Sequence, residues 1–290
     1  MPDRLIIILY WQRYPSSADT PYQYTPPILS RQSLGRNRLQ PLRGRLSGKR
    51  RGLQNDCRSQ QFMIKLSKLN KFMAKLTWSG QSCFQLSVSN SKDHSAQVVI
   101  DPFSEETGLK VPNLSADILL VTHEHKDHSN IKVVKGDPFL IQNPGEYEVK
   151  GVFVKGIPAF HDDVQGKERG ASVIYTVEAE DLRFCHLGDI GQKELTNDQI
   201  EAIGDIDVLM IPVGGTYTIS SQEAVKIISQ IEPKIVVPMH YSIPGLKIKL
   251  DDVSKFLKAF GKNSVVSQEK LQIKASALPK DGTDVAVLLP

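Results

Sequence analysis

Long apolar runs are missing from this sequence. No stretch approaches the roughly 18–20 apolar residues that a membrane-spanning helix requires, so no membrane span is expected. Cysteine is scarce: Cys57, Cys83 and Cys185 are odd in number and far apart. They build neither a disulfide framework nor a cysteine zinc knuckle, which points to a reducing, cytoplasmic setting. Arginine is nearly absent from most of the chain, because ten of the twelve lie in residues 1–60, whereas 23 of the 24 lysines come later. The formal net charge of +4 is therefore unevenly spread. Residues 1–60 hold eleven basic groups against three Asp, and residues 61–290 hold 25 basic against 29 acidic groups. The mildly acidic body argues against a long nucleic-acid groove and for a small-molecule pocket.

The remaining totals, 290 residues, 40% hydrophobic and 23% charged, fit a soluble globular chain of one large or two small domains. Homo-oligomerisation is left open. The first 72 residues stand apart. Beyond Leu5-Ile6-Ile7-Ile8-Leu9-Tyr10-Trp11 they show no apolar period, and Pro, Ser, Gln and Arg dominate. A signal peptide fits poorly, because the apolar run is short and Asp3 precedes it. A transit peptide and a basic nucleic-acid tail are two other readings. The favoured reading is an upstream extension of the reading frame, largely disordered, with the working protein starting at Met63 or Met73 and its domain spanning 73–290.

What the chain does have is Thr122-His123-Glu124-His125-Lys126-Asp127-His128, an H-x-H-x-D-H pattern after the apolar run Ile118-Leu119-Leu120-Val121. Alternate residues of an extended segment point the same way, so His123 and His125 can converge. Where the chain then turns, Asp127 and His128 can swing to a neighbouring point. Two nearby clusters of nitrogen and oxygen donors suit two divalent metals.

Period-two alternation predicts strands at 76–78, 83–88 and 97–100, a β-meander ahead of the motif. Further strands are predicted at 139–141, through 147–160 with bends at Gly151 and Gly156, and in a hairpin of 171–177 with 182–186. Later the rhythm alternates between strand and helix. Strands at 208–213 and 235–238 are separated by a helix capped by Ser220 or Ser221 with Glu223 near its third position. A short helix is predicted over 194–203, and another begins at Asp251 or Asp252, with strands 271–275 and 285–289 closing the chain. Antiparallel strands first and helix-separated strands later imply two packed sheets with helices outside, an α/β/β/α sandwich. His123, His125, Asp127, His128, His161, Asp189 and His240 all fall at predicted strand ends, with Asp101 and the Gly214-Gly215 turn as weaker members.

These pieces, in this order, resemble the metallo-β-lactamase-fold superfamily of metal-dependent hydrolases. Within it the chain is similar to the predicted zinc-dependent hydrolase branch that includes the ascorbate-6-phosphate lactonase-like proteins. The resemblance covers roughly Lys75 to Pro290 and rests on Asp101, the 123–128 motif, His161, Gly188-Asp189 and Pro238-Met239-His240. It implies a first metal held by His123, His125 and His161, a second held by Asp127, His128 and His240, and Asp189 bridging them. Iron-binding redox relatives carry a carboxylate where His125 stands, which disfavours redox chemistry here. An all-His/Asp set suits two zinc ions, and manganese or iron(II) fit the same ligand types.

The expected reaction is hydrolysis of a small ester, lactone or phosphoester by a hydroxide shared between the metals, with Asp127 and Asp189 as catalytic carboxylates. Two alternatives stand beside it: a phosphodiesterase or nuclease of the same fold, and a metal-binding regulator without turnover. Other residues have plainer readings. His186 reads as structural, His94 as a surface residue and Cys185 as a buried strand residue. Gln81 departs from a Gly-His that relatives often carry. Glu146-Tyr147, Lys167-Glu168-Arg169, Thr216-Tyr217 and Tyr241 fit pocket-lining residues and ordinary loop residues equally well.

Overall fold

The computed structural model describes residues 7–9, 73–91, 94–179 and 181–290. The Arg-rich segment otherwise lies outside the described residues, and so does the expectation of disorder placed on it. In chain order the first strands are β1 (Ile7–Leu9), β2 (Ala74–Trp78), β3 (Phe84–Ser91), β4 (His94–Ile100), β5 (Leu114–Ser115) and β6 (Ile118–Leu120). Then come β7 (Val134–Lys135), β8 (Phe139–Ile141), β9 (Gly145–Val149), β10 (Val152–Phe160), β11 (Ala171–Ala179) and β12 (Leu182–His186). Helix α1 (Asn197–Ile203), β13 (Val208–Pro212), α2 (Ser221–Ile231), β14 (Ile235–Met239), α3 (Val253–Ala259), β15 (Leu271–Ile273) and β16 (Asp284–Val285) complete the set.

Two mixed sheets result. One is six-stranded in the order β15-β2-β3-β4-β6-β8, and the other is eight-stranded in the order β1-β9-β10-β11-β12-β13-β14-β16. The predicted meander is present as antiparallel β2-β3-β4, after which β6 and β8 add in parallel. In the larger sheet β9 to β12 are antiparallel, and β13, β14 and β16 follow in parallel. The one described piece of the Arg-rich segment, β1, pairs antiparallel with β9.

Strand alternation sorts the core. Val98, Ile100, Ile118 and Leu120 join the inter-sheet core with Val154, Tyr175, Val177 and Phe184. Their neighbours Val99 and Leu119 point the other way and pack with Cys83, Phe103, Leu114 and Val134. All of β13 is buried, as expected of a parallel strand covered on both faces. The helices supply Ala224, Ile227, Ile228, Phe256 and Leu257 to the main core. This is the α/β/β/α sandwich that the pattern implied.

The caps follow local chemistry. Ser220 is the N-cap of α2: its hydroxyl accepts from the Glu223 amide at 3.3 Å, and the Glu223 carboxylate accepts from the Ser220 amide at 2.7 Å. Thr196 and Gln199 repeat this box on α1. Ser220→Ala should cost about 1 kcal/mol, read as a lower denaturation midpoint with unchanged slope. Gly151 does turn the chain between β9 and β10. Gly156 does not bend it; it stays in register opposite Tyr175 and Gly145. Its need is space, since a Cβ there would lie 2.8 Å from the Asn143 carbonyl oxygen.

Two contacts lock the sheets together beneath the histidine motif. The Tyr175 hydroxyl lies 3.0 Å from the Val121 carbonyl and 3.1 Å from that of Ile141. The Val173 amide donates to the Thr122 carbonyl at 2.9 Å. The motif loop therefore leaves the smaller sheet already tied to the larger one.

Candidate metal centre

The candidate residues all leave strands at their C-terminal ends. Asp101 follows β4, the motif follows β6, His161 follows β10, Asp189 lies just beyond β12, and His240 follows β14. In the larger sheet β10, β12 and β14 run the same way, so His161, Asp189 and His240 emerge at one edge. The motif is a turn rather than a strand: the amides of His128 and Ser129 both donate to the His125 carbonyl at 2.9 Å. A cradle of residues 102–106 holds it. Asn130 donates to the Pro102 carbonyl at 2.8 Å, Ser104 to that of Lys126 at 3.1 Å, and Lys126 pairs with Glu106 on the surface.

Seven side chains converge as two donor groups. His123, His125 and His161 form one; Asp127, His128, Asp189 and His240 form the other, and within each group the ligand atoms lie within 4.8 Å of one another. The groups touch. His123 and His128 have ring centroids 4.2 Å apart, and Asp189 Oδ2 lies 3.1 Å from His128 Nε2 and His240 Nε2 and 3.8 Å from His161 Nε2. The first group opens to solvent at His125, whereas His128, Asp189 and His240 are buried.

Whether these atoms suit cations can be tested on their hydrogen bonds. Among the described residues, His123 Nε2 and His128 Nε2 are buried without a hydrogen-bond partner. Buried polar atoms are seldom left so, and one orphan in each of two adjoining donor groups fits bound ions. Their other ring nitrogens are engaged. The Thr122 hydroxyl donates to Asp101 Oδ2 at 2.7 Å, so it can only accept from His123 Nδ1, 3.0 Å away. His128 Nδ1 donates to the same Asp101 oxygen at 2.9 Å. One carboxylate thus fixes both tautomers and aims both Nε2 atoms inward, as outer-shell carboxylates of metal sites do. His161 Nδ1 and His240 Nδ1 have no such buttress among the described residues.

Electrostatics give the same answer. Burial would raise the pKa of Asp189, but His128 and His240 outweigh it and hold the carboxyl well below its usual range. Burial opposes a charge on His128 too, yet Asp189 and Asp101 hold its pKa well above the ordinary value. The second group therefore demands positive charge. In the first group burial, then repulsion from His128, pushes His123 down to about 2, and burial also lowers His161. Those rings stay neutral, the form that binds metal.

Backbone strain collects here. Gln81, Asp101 and His240 have φ of 51°, 48° and 49°, a region costing non-glycine residues about 1–3 kcal/mol and concentrated at functional sites. Behind His240 the chain approaches so closely that a Cβ on Gly214 would sit 2.1 Å from its carbonyl oxygen.

The remaining candidates sort plainly. His186 is structural: its Nε2 donates to the Ser82 carbonyl at 2.9 Å, and its Nδ1 accepts from the Gly188 amide at 3.1 Å. Cys185 is buried, and burial raises its thiol pKa, so it is no nucleophile. Tyr241 packs on Trp78 at 4.9 Å, buried rather than lining a pocket. Glu146 and Tyr147 line a groove with Phe153, Lys155 and Ile203 that includes none of the donor residues. Arg169 lies over the Tyr217 ring, 5.3 Å from its centroid, and donates to its carbonyl at 2.9 Å. Ser82 and Thr122 had no assigned role in the sequence; both touch the site, Ser82 through a 3.0 Å bond to Asp189 Oδ1.

Known proteins resemble this chain in sequence and fold. The family model described as a beta-lactamase superfamily domain matches residues 75–240. A UPF0173 metal-dependent hydrolase of Thermococcus onnurineus is 30% identical over 200 residues, which cover 59% of this chain and 85% of that protein. A Thermotoga maritima crystal structure, assigned as a Zn-dependent hydrolase of the metallo-beta-lactamase superfamily, aligns with a TM-score of 0.60 and 37% identity over 75% of this chain and 100% of that one. A structure from Parabacteroides distasonis, at 21% identity and a TM-score of 0.53 over 74% of this chain and 93% of that one, shares the fold. Matched over more than half its length, and built as the sandwich that carries these donors, the chain belongs to the beta-lactamase superfamily in its metallo-β-lactamase form.

Proposed function

We propose that this chain is a metal-dependent hydrolase that cleaves a small ester, lactone or phosphoester at a dinuclear centre. The observation that carries the reading is the meeting of two donor groups at one buried carboxylate, Asp189. In it His123, His125 and His161 would hold one ion and Asp127, His128 and His240 the other, with Asp189 placed between the two groups. Zinc suits these ligands, with manganese or iron(II) as substitutes. When bound, two such cations make water acidic enough to ionise near neutral pH and polarise the electrophile's oxygen. The names of the Thermococcus and Thermotoga relatives support this class of activity.

The chain's own groups do the rest. Asp127 is half-buried, and its Oδ2 takes a 3.3 Å hydrogen bond from Gln81. Burial would raise its pKa, but His128 beside it keeps the carboxyl below its usual range. It stays ionised and can orient an attacking water or receive its proton. His125 and Glu124 are exposed, so the first donor group meets solvent on their side.

A panel of lactones, phosphodiesters and single-stranded nucleic acid, offered to zinc-loaded protein, tests the reading. Turnover of a small lactone, ester or phosphoester is expected. Cleavage of nucleic acid alone, or no turnover at all, would contradict it.

A pH dependence follows from His128. Its raised pKa means that the metal-free protein carries a proton there which an ion must displace. Metal affinity should therefore rise with pH up to that raised value, and binding at neutral pH should release about one proton. Calorimetry in buffers of different ionisation enthalpy measures this. The linkage on stability has the matching sign: the His128 contribution is full below the ordinary imidazole value and is lost as pH climbs through the folded one.

A further inference from the structure

We propose that the turn Gly80-Gln81-Ser82 is the positioning device of the second donor group, with Gln81 holding Asp127 and Ser82 holding Asp189. This rests on the metal-centre reading above and goes beyond it to residues that are not ligands. Three of the four members of that group are tied to two consecutive residues. Gln81 Nε2 donates to Asp127 Oδ2 at 3.3 Å, the Ser82 hydroxyl donates to Asp189 Oδ1 at 3.0 Å, and the Gln81 carbonyl accepts from the His240 amide at 3.0 Å. The fourth, His128, is held from the other side by Asp101.

The turn is itself fixed. Trp78 Nε1 donates to the Gln81 carbonyl at 2.8 Å, and His186 Nε2 donates to the Ser82 carbonyl at 2.9 Å. His186 also accepts from Gly188, next to Asp189, so one buried ring joins the turn to the strand end it serves. Gln81 is fully buried, adopts φ 51°, and leaves its Oε1 without a partner among the described residues. A side chain kept only to fill space would be apolar here. A buried amide with an unmatched acceptor, in a strained conformation, is explained by the hydrogen bond that its other end makes to Asp127.

The test isolates the second group. His125→Ala removes an exposed donor of the first group, so cobalt(II) titrated into that background reads the second group alone. Gln81→Met keeps length and volume but loses the donor; Gln81→His restores an N–H and tolerates positive φ. Calorimetry should show cobalt binding weakened about 10–100-fold by Gln81→Met, the range for outer-shell partners, and recovered in large part by Gln81→His. Metal-free melting should be unchanged. If Gln81→Met melts early, Ser82→Ala carries the test with the same expected weakening. Equal cobalt affinity with and without the Gln81 or Ser82 substitution overturns the positioning role while leaving the metal centre standing. A wild-type protein that binds no cobalt overturns both.

Discussion

Asp189→Asn should release both ions and lower turnover by more than about 100-fold, a larger loss than removal of an outer-shell partner causes. Asparagine keeps the shape and loses the charge. Asp189 is buried, and one of its oxygens lies within 3.1 Å of two imidazoles and 3.8 Å of a third. It also contributes to the raised pKa of His128. The substitution should therefore lower the His128 pKa in the metal-free protein, which imidazole resonances followed against pH would report. Elemental analysis reads the lost ions. An Asp189→Asn protein with full metal content and turnover would remove the bridging role.

Asp101→Asn should lower metal affinity and turnover about 10–100-fold, although Asp101 touches no ion in this reading. Its carboxylate takes three hydrogen bonds: from the Thr122 amide at 2.8 Å, the Thr122 hydroxyl at 2.7 Å and His128 Nδ1 at 2.9 Å. Through Thr122 it also reaches His123. An amide in its place can present an NH2 to one of these donors, which frees His128 to rotate or change tautomer. Both donor groups then lose a fixed Nε2, one in each. The check is a pair of titrations, in which Asp101→Asn weakens both binding steps while His125→Ala weakens only the first group's. Weakening confined to one step would show that the Thr122 relay carries nothing.

Much of this was readable from residue order, because the chemistry is local in sequence. The H-x-H-x-D-H spacing packs four donors into six residues, and a tight turn can only present them together. Ser220 with Glu223 announces a helix start through bonds three residues apart. His161, Asp189 and His240 were legible as polar residues closing apolar strands. The second layer was less so. Gln81 meets Asp127 across 46 positions and Ser82 meets Asp189 across 107, and no short-range pattern encodes such pairings. The one signal was that the family resemblance leads to an expected Gly-His where Gly80-Gln81 stands. Tyr241 stays open on sequence because a tyrosine after a site histidine reads alike whether it faces a pocket or, as here, donates to the Leu288 carbonyl at 3.3 Å inside the core. Gly156 was misplaced because glycine signals close approach and bending equally well.

The most direct measurement is anomalous diffraction from crystals of the protein loaded with zinc or manganese. Two peaks are expected, one among His123, His125 and His161 and one among Asp127, His128, Asp189 and His240, with Asp189 in reach of both. Peaks elsewhere on the chain, or none in saturating metal, would contradict it.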